Sequence, residues 1–177
     1  MATAEHPPVP TDGPTCSVQD ALLRFNTYYR VRFPGPRPQA PALRLSVVAC
    51  MDSRLALFGA LGLRIGDAHL IRNAGGMVTD DVLRSLAISQ RRIGTREIAV
   101  IHHTDCGMFG FDDEGFRAEL AADGGQRPGW DVPGFDDLVA SVRESVQRIA
   151  ECRWLPHRDL VRGYVFDVGT AEITEVH

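Results

Sequence analysis

Three short, nearly continuous apolar runs constrain this chain more than any other feature. LSVVAC (45–50), HLIRN (69–73) and EIAVIHH (97–103) lack the alternation of a strand with one wet face, so they read as strands buried on both faces. Between the last two lies TDDVLRSLAISQRRIG. Thr79 is placed to N-cap it, Asp80 and Asp81 fall in its first turn, Val82, Leu83, Leu86 and Ala87 form a stripe, and Gly94 ends it. Strand, helix and strand in this order predict an α/β fold: a mainly parallel central sheet flanked by helices and joined by right-handed crossovers.

The remaining segments extend that plan. Asp136 to Cys152 reads as a helix with Leu138, Val142, Val146 and Ile149 on one face, and GYVFDV with AEITEV reads as a C-terminal hairpin turning at Gly169 and Thr170. Asp112, Asp113 and Glu114 suit the first turn of a solvent-facing helix near 112–122. Ser17 is a suitable N-cap for a helix over 18–31 carrying Leu22, Leu23 and Phe25, ended by the PGPRPQAP stretch from Pro34 to Pro41. That helix has no local body to pack against, so it is expected to lie as an arm on the main domain or on a second subunit. At 177 residues the chain suffices for one domain and a short arm. The expected organisation is a flexible, Pro-rich 1–16, then a single domain over 17–177 made of the 17–43 arm and the 44–177 core.

Composition removes several function classes. The 19 basic residues are all Arg, so mechanisms that need a lysine amine, such as pyridoxal Schiff bases and the usual phosphate-loop NTPases, are excluded. Against 23 acidic residues they leave a net charge of −4, which offers no footprint for a nucleic acid backbone. No apolar stretch approaches the ~20 residues that span a bilayer, and MATAEHPPVP lacks the basic-then-apolar run of a signal peptide, so no membrane partner and a cytoplasmic location are expected. In a reducing compartment Cys16, Cys50, Cys106 and Cys152 serve as metal ligands or buried thiols more readily than as two disulfides.

The chemistry-bearing residues come after two of the strands. Cys50, Asp52 and Arg54 lie just after LSVVA, and His103 and Cys106 just after EIAVIH. In a parallel sheet both sets fall at the carboxyl ends of strands, where open α/β sheets place their ligand sites. Two thiolates and an imidazole suit zinc, and three ligands leave a tetrahedral position open for a water that loses a proton far more easily there. A structural zinc completed by Asp52 is the bland alternative. Asp52 beside Arg54 is expected to stay ionised and to aim an oxygen at the zinc-bound species.

ACMDSR, HLIRNAGG and HHTDCG, in this order and spacing, resemble the signature of the beta-class carbonic anhydrase family, and the resemblance runs from about residue 44 through the terminal GYVFDVGT. It implies one Zn2+ per subunit on Cys50, His103 and Cys106, and a catalytic dyad of Asp52 and Arg54. It further implies a pocket lined by Asn73, Ala74, Gly75 and Gly107, and dimers whose sheets join, with N-terminal helices embracing the neighbour. The implied reaction is reversible hydration of carbon dioxide to bicarbonate and a proton by a zinc-bound hydroxide. Proteins similar to this family also hydrolyse carbonyl sulfide or carbon disulfide, and a non-catalytic zinc-binding sensor or structural dimer is a further alternative. In some members the counterpart of Asp52 swings onto the zinc, so Asp52 is a candidate fourth ligand in a closed state favoured at low pH. One departure stands out: many members carry Gln and Pro just before the glycine matching Gly66, and this chain has Arg64 and Ile65.

Other candidates read as structural. His102 is expected on the opposite face of its strand from His103, in the core. His69 and His157 are surface or core histidines before they are proton shuttles. Asp105 is expected to stabilise a turn or cap a helix, and Cys16 and Cys152 to be ordinary thiols.

Overall fold

The computed structural model describes residues 18–177, so Ser17, Cys16 and the Pro-rich 1–16 segment lie outside the described residues. The chain divides after Arg37 into two compact units. The first contributes α1 (Val18–Val31), which leaves Leu22, Leu23, Tyr28, Tyr29 and Val31 exposed.

The second unit holds a five-stranded sheet. Its elements run β1 (Leu45–Cys50), α2 (Leu57–Ala60), β2 (Ala68–Asn73), α3 (Asp80–Ile88), β3 (Glu97–His103), α4 (Asp113–Gly124), α5 (Leu138–Glu151), β4 (Val161–Phe166) and β5 (Ile173–Val176). The order across the sheet is β2-β1-β3-β4-β5. The β1 strand is parallel to β2 and to β3, β3 is parallel to β4, and only the β4–β5 hairpin is antiparallel. The expected mainly parallel sheet with flanking helices is therefore what forms.

Burial explains the apolar runs of β1 and β3, but HLIRN, expected to be buried on both faces, is instead the half-buried edge strand β2, because only β1 flanks it. Val47, Ala49 and Ile101 face one cluster with Leu55, Leu57 and Met108, while Val48, Ile98 and Val100 face the other with Val82, Leu86 and Ile149. Burying a valine, leucine or isoleucine side chain fully is worth about 1.5–3 kcal/mol. Strands covered on both faces by such residues are thus held in one register.

Helix starts are set by capping side chains. Thr79 Oγ1 accepts from Val82 N at 3.4 Å, Asp112 Oδ1 from Gly115 N at 3.0 Å, and Asp137 Oδ1 from Ala140 N at 2.9 Å. The helix that the sequence carries from Thr79 to Gly94 changes character after Ile88: Ser89–Ile93 is a wider π turn, closed by Gly94 N donating to Ser89 O at 2.9 Å. Ser89 opens that turn. Its hydroxyl sits in a buried cluster 2.9 Å from Ser46 Oγ, 2.6 Å from Thr95 Oγ1 and 2.7 Å from His69 Nδ1. The next residue, Gln90, pairs its amide with the backbone of His157.

One glycine governs how the chain passes the carboxyl end of β1. Gly76 has φ +70°, and a Cβ there would lie 2.7 Å from Cys50 N, 2.9 Å from Ala49 C and 3.1 Å from Ile101 O. All three obstacles are backbone of the two central strands. Gly76→Ala therefore combines left-handed strain with overpacking and is expected to destabilise the fold by about 3 kcal/mol in urea titration. A loss below about 1 kcal/mol, the low end of overpacking costs, would mean that the loop yields without cost.

Candidate metal centre

The parallel pairing of β1 with β3 brings the two sequence clusters together. Register partners run from Leu45 with Glu97 to Ala49 with Ile101, so the adjoining segments, Cys50 to Arg54 and His103 to Cys106, emerge side by side. Cys50, His103 and Cys106 are buried, and one potential ligand atom from each lies within 4.8 Å of the others. Among the described residues this is the one group of three or more His, Cys, Asp or Glu side chains so arranged.

The donor set fits zinc on three observations. The Cys50 and Cys106 sulfurs are 4.0 Å apart. Two sulfurs on one tetrahedral zinc at ~2.3 Å each would stand ~3.8 Å apart. A disulfide needs ~2.05 Å, and both residues are free thiols, as is Cys152. His103 Nδ1 donates to Thr104 O at 2.9 Å, which fixes the tautomer and leaves Nε2 as a bare lone pair. That Nε2 is buried with no hydrogen-bond partner, a costly state that a cation relieves. Burial, with Cys50 alongside, pushes the Cys106 thiol up to about 11. A metal must therefore displace its proton, and binding is tied to proton release.

Asp52 and Arg54 pair as the sequence predicts. Arg54 Nε donates to Asp52 Oδ1 at 3.0 Å and Nη2 donates to Oδ2 at 2.7 Å, while Arg54 N donates to Oδ1 at 2.8 Å. The Arg54 side chain, helped by its backbone N–H, holds the Asp52 carboxyl well below the usual carboxylate range, and the pairing raises Arg54 in turn. Asp52 Oδ2 stands 4.0 Å from His103 Nε2. An ionised acceptor is thus fixed beside the unshared lone pair of a ligand.

Arg72 is a site residue that sequence reasoning misses, although it sits within the HLIRN motif. Its Nε donates to Cys50 O at 2.8 Å and its Nη2 to Asp52 O at 2.6 Å, so it pins the backbone of the ligand-bearing loop. The expected pocket residues lie close by in the chain. Asn73 is the register partner of Cys50, its O accepts from Met51 N at 2.8 Å, and its Nδ2 donates to Met77 O at 2.8 Å. Ala74 packs against the core, Gly75 is buried at φ +77° against Met77 and Met108, and Gly107 is exposed. A cavity of about 470 Å3 adjoins the site, lined by His103, Thr104, Asp105, Cys106, Phe109, Phe135 and Leu138.

The other three histidines singled out in the sequence fall elsewhere. His102 is fully buried behind the strand, and burial lowers its imidazole to about 4, so it stays neutral. His69 pairs in register with Ser46, at the opposite end of β1 from Cys50. Four residues of strand separate those ends, about 13 Å. His157 engages Gln90 through its backbone.

Comparison with known proteins agrees with this geometry. The family model described as carbonic anhydrase matches residues 45–125. The chain is 47% identical to beta-carbonic anhydrase 1 of Mycobacterium tuberculosis over 160 residues, covering 90% of this chain and 98% of that one. It is 33% identical to a carbon disulfide hydrolase of Acidithiobacillus thiooxidans over 155 residues, covering 76% and 77% of the two chains. The crystal structure of a carbonic anhydrase from Streptococcus mutans superposes with a TM-score of 0.85 at 40% identity, covering 92% of this chain and 99% of that one. A Cys-His-Cys zinc site at the carboxyl ends of paired parallel strands, and near end-to-end similarity to a beta-carbonic anhydrase, place the chain in the beta-class carbonic anhydrase family.

Proposed function

We propose that this chain catalyses the reversible hydration of carbon dioxide to bicarbonate and a proton, with Asp52 and Arg54 as its catalytic dyad. Asn73, Ala74, Gly75 and Gly107 line the place of the substrate. The observation that carries this reading is the Asp52 carboxylate, ionised and gripped by Arg54, 4.0 Å from the bare Nε2 of His103. Zinc on Cys50, His103 and Cys106 supplies Lewis acidity that moves the pKa of water from ~15.7 toward ~7, an effect of which carbonic anhydrase is the standing example.

The protein's own groups do the rest. A carboxylate that carries no proton can only accept a hydrogen bond, so Asp52 fixes the O–H of the attacking group and turns a lone pair toward the carbon. Arg54 keeps Asp52 ionised and in one orientation through two parallel N–H bonds. Phe109, Phe135 and Leu138 give the adjoining cavity apolar walls that suit an apolar, linear substrate. The released proton leaves to buffer. The nearness of Asp52 to His103 also supports its becoming a fourth ligand in a closed state at low pH.

A second reading keeps the site and changes the substrate to carbonyl sulfide or carbon disulfide. It is favoured by the similarity to a carbon disulfide hydrolase, at lower identity and coverage than the similarity to beta-carbonic anhydrase 1. A homodimer belongs to the proposal. The apolar side chains exposed on α1 call for a second body, and β2 is a sheet edge with half-buried Ala68, Leu70 and Ile71 and no outer partner among the described residues. No helix among the described residues is long and apolar enough to cross a membrane. With free thiols at the site, this supports a cytoplasmic location.

Asp52→Asn is expected to retain zinc by elemental analysis and to lose carbon dioxide hydration about 100-fold or more in stopped flow, the scale on which misoriented reacting groups cost rate. Cys50→Ser is expected to lose both metal and activity. Full hydration activity in Asp52→Asn would remove the dyad from the mechanism. Hydrogen sulfide release from carbonyl sulfide with little hydration would reverse the order of the two substrates, and zinc without either turnover would favour the sensor. In sedimentation velocity the chain is expected as a dimer, and Leu22→Glu with Leu23→Glu is expected to shift it to monomer; an unchanged dimer would take α1 out of the interface.

A further inference from the structure

Arg54 makes more bonds than a partner for Asp52 requires. One edge of its guanidinium, Nε and Nη2, takes the Asp52 carboxylate. The other donates from Nη1 to Asp105 Oδ2 at 2.6 Å and from Nη2 to the Asp105 carbonyl oxygen at 2.9 Å. Asp105 lies between the ligands His103 and Cys106, so one guanidinium ties the loop after β1 to the loop after β3.

The backbone of Asp105 is what permits the double contact. Its φ is +54°, a left-handed conformation that few residues besides Gly, Asn and Asp adopt readily. In that conformation its carboxylate and its carbonyl both meet the same guanidinium. Glycine would accept the conformation and keep the carbonyl contact but offer no carboxylate. Aspartate satisfies both demands, which goes beyond stabilising a turn.

We propose that Asp105 is a positioning residue for the dyad: it anchors the second edge of Arg54, so that the first edge presents itself to Asp52 in a single orientation. An isolated surface ion pair would count for little, because fixing two long side chains offsets the attraction. Arg54 is 45% exposed, yet its donors are engaged by two carboxylates and a carbonyl in one network. The entropy of fixing the side chain is then shared among several bonds. The anchor leaves the metal ligands themselves untouched. It rests on the reading of Asp52 and Arg54 as the dyad.

The test compares zinc-loaded wild type, Asp105→Gly and Asp105→Asn by zinc content, by kcat and KM for carbon dioxide hydration, and by the 15N-edited NMR signal of the Arg54 Nε–H. Asp105→Gly fits the positive φ without strain, so it isolates the lost carboxylate. It is expected to keep its zinc, to lose kcat about tenfold with KM little changed, and to broaden the Arg54 signal, a modest share of what ~1 Å misplacements cost. Asp105→Asn keeps an acceptor oxygen and tolerates the conformation, and is expected to recover kcat to within about threefold with a sharp Arg54 signal. Wild-type kcat and an unchanged Arg54 signal in Asp105→Gly would overturn the proposal, leaving Asp105 as a turn residue. Equal losses in both variants with the Arg54 signal unmoved would overturn it as well. Failure of the dyad itself reads differently: Asp52→Asn is then fully active, whereas failure of the anchor alone leaves Asp52→Asn impaired and Asp105→Gly normal.

Discussion

The lateral pairing of β1 with β3 is the constraint on which the rest of this structure depends. Both strands run the same way, and residues of each are buried on both faces, Val47 and Val48 in one and Val100 and Ile101 in the other. A slip of one residue would exchange the two faces of a strand and break both apolar layers at once, so the register is fixed from two sides. Because the pairing is parallel, the loops leaving the two strands emerge at the same end. Cys50 and His103 become neighbours for that reason, and Cys106 comes within one turn of chain. The metal centre is a consequence of sheet topology before it is a feature of any loop.

Once the ligands meet, their environment sets their charge states. Burial keeps the Cys106 thiol protonated in the absence of a cation, and the Nε2 of His103 has no hydrogen bond to satisfy it. Asp52, a short distance away, is driven to the opposite condition by Arg54. A Cys106 thiol kept protonated by burial thus stands beside an ionised Asp52, and the difference arises from burial on one side and an arginine partner on the other. Arg72 and Arg54 are both used on this loop in different ways. Arg72 binds carbonyls and holds the backbone, whereas Arg54 binds two carboxylates together with one carbonyl and ties the two loops.

The parts of this molecule legible in its sequence are those that repeat with a physical period or meet a fixed chemical demand. The apolar runs locate β1 and β3 because burial on both faces leaves an unbroken pattern, whereas HLIRN, which carries the same pattern, is the half-buried edge strand β2. Thr79 marks a helix start because a side-chain oxygen must meet an unpaired N–H, whereas Asp112, which reads as part of a first turn, is itself a cap, and so is Asp137, which nothing in the pattern singles out. The Cys-His-Cys set is legible because few side chains bind zinc. The π turn at Ser89–Ile93 is hidden, and Ser46 and Thr95 meet Ser89 there through tertiary contact. Arg72 and Gly76 are in view within HLIRNAGG, but what they touch, the backbone of Cys50, Asp52 and Ala49, has no sequence pattern. Asp105 reads as a turn residue because spacing alone does not reveal that a left-handed residue offers two oxygens to one arginine.

Substrate choice depends on the same division of labour. Carbon dioxide, carbonyl sulfide and carbon disulfide are all linear and electrophilic at carbon, so the metal triad alone does not tell them apart. The differences between them are size and the polarity of the terminal atoms. Discrimination therefore falls to the walls of the cavity beside the metal triad, whose apolar part is Phe109, Phe135 and Leu138. A hydrophobic wall separates substrates that differ by one small group by about 1–3 kcal/mol, while a hydrogen-bonding group that requires an oxygen separates them far more steeply. Before Gly66 stand Arg64, whose backbone N–H donates to Asp67 Oδ2 at 2.7 Å, and Ile65, which is 48% exposed. Phe109 and Phe135 line the cavity beside the metal triad without belonging to it, so substitutions there reach the shape of the cavity without touching the ligands.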